Sequence, residues 1–176
     1  MTDPSPTIRP AAPADVPALL ALVRELAEYE REPDAVEATE EHFARALFPA
    51  DGQARSHALV AETEDSGDTE VVAMAVWYTT FSTWTGRHGI WLEDLYVRPE
   101  HRGGGLGTRL LATLAATAVE RGWQRLEWWV LGWNTPSIAF YDSLGARPMT
   151  EWVHYRMDGE ELRSLAATST ATSTPT

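Results

Sequence analysis

Two adjacent carboxylates, Glu93 and Asp94, interrupt an otherwise apolar run, "IWLEDLYV". A carboxylate on a central strand is costly unless it is paired or hydrated. Strict alternation sends neighbouring residues to opposite faces, so one of the two is expected to face a wet cavity. Further acids, Glu25, Glu28, Glu30 and Glu32, crowd the stretch "RELAEYERE" at the C-terminal end of an amphipathic run. Negative charge there opposes the helix dipole and costs roughly 0.3–1 kcal/mol per exposed group. Arg24 and Arg31 offset part of it, and for most of these glutamates a solvated acidic face is sufficient explanation. A formal net charge of −12 favours a cationic substrate and disfavours nucleic acid, whose phosphates such a surface repels.

The second chemical signal is "VRPEHRGGGLGTRLL", residues 97–111. An apolar strand ends, three glycines follow, and a helical run begins. The start of a helix exposes unpaired N–H groups and the positive end of the dipole, which suits an anion. Gly103, Gly104 and Gly105 allow left-handed angles and close backbone approach, and Arg102 adds a fixed cation suited to a diphosphate. No Lys-Ser or Lys-Thr follows, so this is not a nucleotide-triphosphate loop, and the position late in the chain does not suit a dinucleotide fold.

The absence of cysteine excludes disulfides, thiolate metal sites and cysteine nucleophiles. His42, His57, His88, His101 and His154 show no metal-ligand spacing, so no metal is expected. No apolar run reaches the roughly 18 residues needed to span a membrane, and "MTDPSPT" has no secretory pattern. A cytoplasmic protein without membrane partners is the expectation.

The elements that must position these groups follow from periodicity. A first helix is expected over about Val16–Tyr29, with Asp15 as N-cap, and a shorter one near Glu40–Phe48. "HALVAE" and "VVAMAVWYTTF" form a hairpin across the polar turn "EDSGDTE", and "IWLEDLYV" is a third strand. A helix over about Leu106–Arg121 then crosses to "RLEWWVL", long enough to join parallel strands. "PSIAFYDSL" is a short helix and "EWVHYRM" a last strand. The fold class is α/β, with a mixed, mostly antiparallel sheet, a parallel pair and flanking helices. Residues 1–6 and the Ser/Thr-rich segment 168–176 are expected to be disordered around one domain, 7–167.

The spacing Arg-x-x-Gly-x-Gly over Arg102–Gly107 resembles the acetyl-CoA loop of the GCN5-related N-acetyltransferase (GNAT) superfamily. "RELAEYE", "LEDLYV", "RGGGLG", "WNTPSIAFY" and "LGA" recur in the order and spacing of its diamine (spermidine/spermine) N-acetyltransferase family, which includes thialysine acetyltransferases. The similarity covers about residues 7–165. It implies a central sheet whose parallel pair splays apart, a homodimer, and acetyl-CoA as cosubstrate.

The resemblance also assigns roles. Leu95, Tyr96 and Val97 match the strand that pairs with the pantetheine arm and supports the thioester. Arg102, Gly103, Gly104, Gly105, Leu106, Gly107 and Thr108 match the diphosphate loop, and Asn134, Thr135 and Pro136 match residues lining the cofactor. Tyr141 aligns with the catalytic tyrosine that protonates the departing thiolate. Glu93 aligns with the residue that binds the amine and serves it as a proton acceptor, directly or through water. Tyr29, Glu30 and Trp152 align with substrate contacts, while Asp94 is read as structural or as helping to hydrate the site. The reaction implied is direct attack of a primary amine of a small cation, polyamine- or diamine-like, without an acyl-enzyme. Thialysine or another amino-acid amine, with Arg87 as a candidate partner for its carboxylate, is the main alternative. Acetylation of a protein amine and a non-catalytic acyl-CoA-binding module are the others.

Overall fold

The computed structural model describes residues 5–65 and 68–170. The chain divides into two compact units, one up to Trp129 and one from Val130. The first unit is built on five strands, β1 (Thr7–Pro10), β2 (Ser56–Asp65), β3 (Asp68–Ser82), β4 (Arg87–Val97) and β5 (Leu126–Glu127), paired in that order. Pairings β1–β2, β2–β3 and β3–β4 are antiparallel, and β4–β5 is parallel. The α/β class with a mostly antiparallel mixed sheet is therefore as expected. The edge strand β1 leaves no sequence signal, because "TIRP" is too short and mixed to show alternation.

Helix α1 (Val16–Tyr29) has the bounds its spacing predicts and buries Val16, Leu19, Leu20 and Leu22. With α2 (Glu40–Leu47), it shares a core with Ala58 and Val60 of β2, Met74 of β3 and Tyr96 of β4. Asp15 occupies the N-cap position of α1 without bonding into the helix. Its carboxylate turns back instead, accepting from the Ala12 N–H at 2.7 Å and from Arg9 at 2.6 and 2.9 Å. Arg9 also donates to Glu62, tying the start of α1 to β1 and β2.

Helix α3 (Leu106–Glu120) crosses from β4 to β5 and buries Leu106, Leu110, Leu111, Leu114 and Ala118. It covers the opposite face of the sheet. The Arg121 guanidinium at its end lies 5.8 Å from the centroid of the Trp77 ring, and Trp77 alternates with Met74 and Val76 of the α1 face. The β4–β5 pair is short: Ile90 opposes Leu126, Trp91 opposes Glu127, and pairing stops. The strand predicted over Arg125–Leu131 is thus confined to two residues, because its pairing with β4 ends at Glu127.

In the second unit, α4 (Thr135–Ser143) and α5 (Gly159–Thr170) are the regular elements. Residues 151–157 form no strand, contrary to the alternation of "EWVHYRM"; among the described residues no neighbouring strand pairs with them, and an isolated strand leaves its backbone groups unsatisfied. Residues 168–170, read as the start of a disordered tail, close α5. There the hydroxyls of Thr168 and Ser169 each donate at 2.7 Å to the carbonyl three residues back. The other residues expected to be disordered lie outside the described residues, except 5–6, which are irregular.

Candidate active site

The strand carrying Glu93 and Asp94 does not alternate through them. Leu92 opposes Trp77 and Asp94 opposes Val76, so Glu93 is an extra residue, a β-bulge in β4. A bulge shifts the strand's parity. Leu92 consequently shares the α3 face with Trp77, whereas Asp94 and Tyr96 share the α1 face with Val76 and Met74. Glu93 turns to the α1 face as well: its Oε2 accepts from Nε1 of Trp91 at 3.2 Å, and the Trp91 ring stacks on Tyr78, which alternates onto that face. The expectation that the two carboxylates point to opposite faces is therefore corrected. The bulge brings them onto one face, towards the C-terminal end of α1.

That end carries Tyr29 and Glu30. Arg31 takes a left-handed φ of 68°, and the N–H groups of Glu30, Arg31 and Glu32 return to the carbonyls of Leu26, Glu28 and Ala27. The helix therefore stops just after Tyr29 and Glu30. Burial pushes the Glu30 carboxyl above its ordinary range. Asp94 is pushed up to about 6, first by burial, then by the charges of Glu93 and Glu30. The charges of Glu93 on β4 and Glu30 at the end of α1 thus both act on Asp94. The sequence of β4 gives Asp94 only a minor place, because the bulge that redirects it is defined by the register against β3.

The end of β4 is held against α1 by charge. Arg98 forks onto Glu25 at 2.9–3.2 Å and also reaches Glu70. On its β3 side Leu95, Tyr96 and Val97 pair with Ala75, Met74 and Ala73. On the other side, among the described residues, no strand pairs with β4 beyond Trp91. That open edge is what an amide-bearing chain needs in order to add as a strand.

Beyond β4, Gly103 and Gly105 take φ values of 80° and 79°, and Gly105 is the N-cap of α3. The first helical bond runs from the Arg109 N–H to the Gly105 carbonyl at 3.0 Å, so the N–H groups of Leu106, Gly107 and Thr108 point out of the helix end. A side chain added at Gly103, Gly104 or Gly105 would meet no atom within 4 Å. Open space, outward N–H groups and an unpaired strand edge fit the diphosphate and pantetheine portions of coenzyme A.

Arg87 begins β4, six residues from Glu93, or about 20 Å along a strand. In the second unit Asn134 is buried and caps α4, its Oδ1 accepting from the Ser137 N–H at 3.3 Å, with Pro136 in the first turn. Tyr141 lies on α4, its ring 5.2 Å from that of Phe140. Trp152 is 66% exposed. Among the described residues, no group of three or more His, Asp or Glu side chains is placed to hold a metal ion.

One strand, β4, bulged at its acids and open along one edge, feeds a glycine turn and a helix start, the arrangement of an acyl-CoA-dependent transferase. The model of the acetyltransferase (GNAT) family matches residues 19–146, and the chain belongs to that family. It is 39% identical over 170 residues to the thialysine N-epsilon-acetyltransferase of Sus scrofa, covering 90% of this chain and 96% of that protein. It is 33% identical over 165 residues to the human spermidine/spermine N(1)-acetyltransferase-like protein 1, covering 90% of this chain and 23% of that protein. Among solved structures, an integron cassette protein from V. cholerae is 27% identical, with a TM-score of 0.74, covering 92% of this chain and 98% of that one. The protein is an acetyl-CoA-dependent N-acetyltransferase.

Proposed function

We propose that the protein acetylates a primary amine on a small cation bound between the end of α1 and the bulge of β4. The observation that carries this reading is the convergence of Glu93, Asp94 and Glu30 on one face beside the open edge of β4. Carboxylates so placed attract an ammonium group. Side-chain amines of the thialysine type are the first substrate class, because the thialysine enzyme matches at 39% over almost its whole length. Polyamines and diamines are the second, supported by the same acidic face and by the spermidine/spermine-like relative.

Acetyl-CoA supplies an activated acetyl thioester. In the proposed arrangement the backbone of Gly103–Thr108, with Arg102, holds the diphosphate, Leu95–Val97 hold the pantetheine arm, and Asn134, Thr135 and Pro136 line the cofactor. Tyr29, Glu30 and Trp152 contact the amine. Carboxylates also raise the pKa of a bound ammonium, while only the neutral amine attacks. Glu93 therefore has a second task, to accept the proton directly or through water. Tyr141 donates a proton to the leaving thiolate. Proximity of the two reactants provides most of the acceleration.

The reading includes a homodimer. Residues 151–157 carry Val153 and Tyr155 with 74% and 88% exposure. A second copy would cover such side chains and offer a partner for a segment patterned as a strand.

The test is the release of free thiol from acetyl-CoA with thialysine, lysine, ornithine, spermidine, putrescine and a basic peptide. Turnover fastest with thialysine supports the first class, and turnover fastest with spermidine or putrescine supports the second. Tight coenzyme A binding without turnover of any amine would refute the reading.

A further inference from the structure

Arg102 belongs by position to the glycine loop, yet its side chain lies along β4 and α1. Its Nε donates to the Val97 carbonyl at 2.7 Å. Its guanidinium carbon lies 5.2 Å from the centroid of the Tyr29 ring and 5.4 Å from that of Tyr96. Three elements therefore meet at one cation: the last turn of α1, the end of β4 and the turn into α3. Tyr96 is buried in turn, and burial first, then the charge of Glu25, the acceptor of the Arg98 fork, pushes its phenol up.

We propose that Arg102 is a positioning residue for the amine, holding the Tyr29 ring against the end of β4 and so linking the loop that grips coenzyme A to the site that receives the acceptor. This rests on the reading of Tyr29 as an amine contact. A guanidinium is suited to the role because its flat, weakly hydrated faces stack on aromatic rings while its edge still donates. The bond to Val97 fixes the side chain at its base, and the two rings fix its end. Loss of the guanidinium removes the contact that joins the Tyr29 and Tyr96 rings through one cation, together with the bond to the Val97 carbonyl. The effect falls on the amine, separately from any effect on the diphosphate.

The experiment measures the KM for thialysine and for spermidine at saturating acetyl-CoA in wild type, Arg102→Gln, Tyr29→Leu and the double variant, with calorimetric coenzyme A affinity and melting temperature for each. Saturating acetyl-CoA removes the diphosphate contribution from the amine KM. Arg102→Gln is expected to raise that KM about tenfold, consistent with loss of a partly desolvated cation–π pair. In the Tyr29→Leu background the same substitution is expected to raise it less than about twofold, since the two changes remove one interaction. Arg102→Lys keeps the charge without the planar face and is expected to recover only part of the loss. An unchanged amine KM in Arg102→Gln, alongside a raised KM in Tyr29→Leu, would overturn the positioning role alone. Fully multiplicative effects of the two changes would overturn it as well. An unchanged KM in Tyr29→Leu would overturn the assignment of Tyr29 to the amine and the positioning role with it.

Discussion

The indole Nε1 of Trp91 donates to Oε2 of Glu93 at 3.2 Å, two residues along β4 and on the same face. The Trp91 ring is itself held, stacked on Tyr78 at 6.3 Å and met edge-on by Trp129 at 4.8 Å. A long carboxylate at an exposed bulge would otherwise sample several rotamers. The bond from Trp91 favours one of them, and in the proposed site leaves the other oxygen for an ammonium group.

Trp91→Phe keeps the stacking surface and removes the donor. A hydrogen bond of this kind is worth about 0.5–1.5 kcal/mol. The variant should therefore lose roughly two- to tenfold in kcat/KM for the amine, with the KM for acetyl-CoA unchanged. Steady-state kinetics with each substrate varied in turn would show this. Glu93→Gln, by contrast, should lose much more and depress kcat as well, across pH 7–9, if Glu93 has the proposed role of proton acceptor.

The raised pKa of Asp94 has a stability consequence. Its value of about 6 in the folded protein stands above its ordinary 3.8, so folding disfavours the ionised form. Below about pH 4 the carboxyl is protonated in both states and carries no penalty. As the pH rises towards 6 the unfolded chain ionises first, and stability falls; above that range the loss is complete, at most about 3 kcal/mol. Asp94→Asn should therefore be more stable than wild type at pH 8, by about 1–3 kcal/mol, with the advantage vanishing near pH 4. Urea denaturation at the two pH values measures it.

The glycines of the loop separate folding from binding. Gly105 has a φ of 79°, so Gly105→Ala should cost about 1 kcal/mol of stability by backbone strain alone. Gly104 has no such angle and no atom within 4 Å of an added side chain. Gly104→Ala should leave the melting temperature unchanged yet weaken coenzyme A binding about tenfold, if a ligand approaches the loop backbone closely. Calorimetry and thermal melts of the same preparations distinguish the two effects.

Tyr141→Phe removes only a hydroxyl. Acid–base groups contribute roughly 10²–10⁴-fold, so turnover should fall by about that factor with the coenzyme A dissociation constant within about twofold of wild type. Single-turnover thiol release beside calorimetry reads both. An equal loss in both quantities would assign Tyr141 to packing.

Much of this was legible in the chain. The bounds of α1 followed from the spacing of Val16, Leu19 and Leu20, and the turn into α3 from Gly103–Gly105, because local periodicity and backbone freedom are properties of short segments. The bulge was not legible, since Glu93 is extra only relative to Val76 and Trp77 on another strand. The same limit applies to "RLEWWVL" and "EWVHYRM", whose residues favour strands but whose pairing depends on neighbours distant in the chain. The position of Arg102 against Tyr29 likewise depends on how α1 docks on β4, which no spacing within either element records.

The central claim is that the bulge gathers Glu93 and Asp94 opposite Glu30 to receive a cation, and NMR titration of the Asp94 side-chain carboxyl tests it most directly. The account predicts a midpoint near 6 in the free protein, falling by about one unit or more when thialysine or spermidine saturates the site, since a neighbouring cation favours the carboxylate. A midpoint near 3.8, unmoved by either amine, would contradict it.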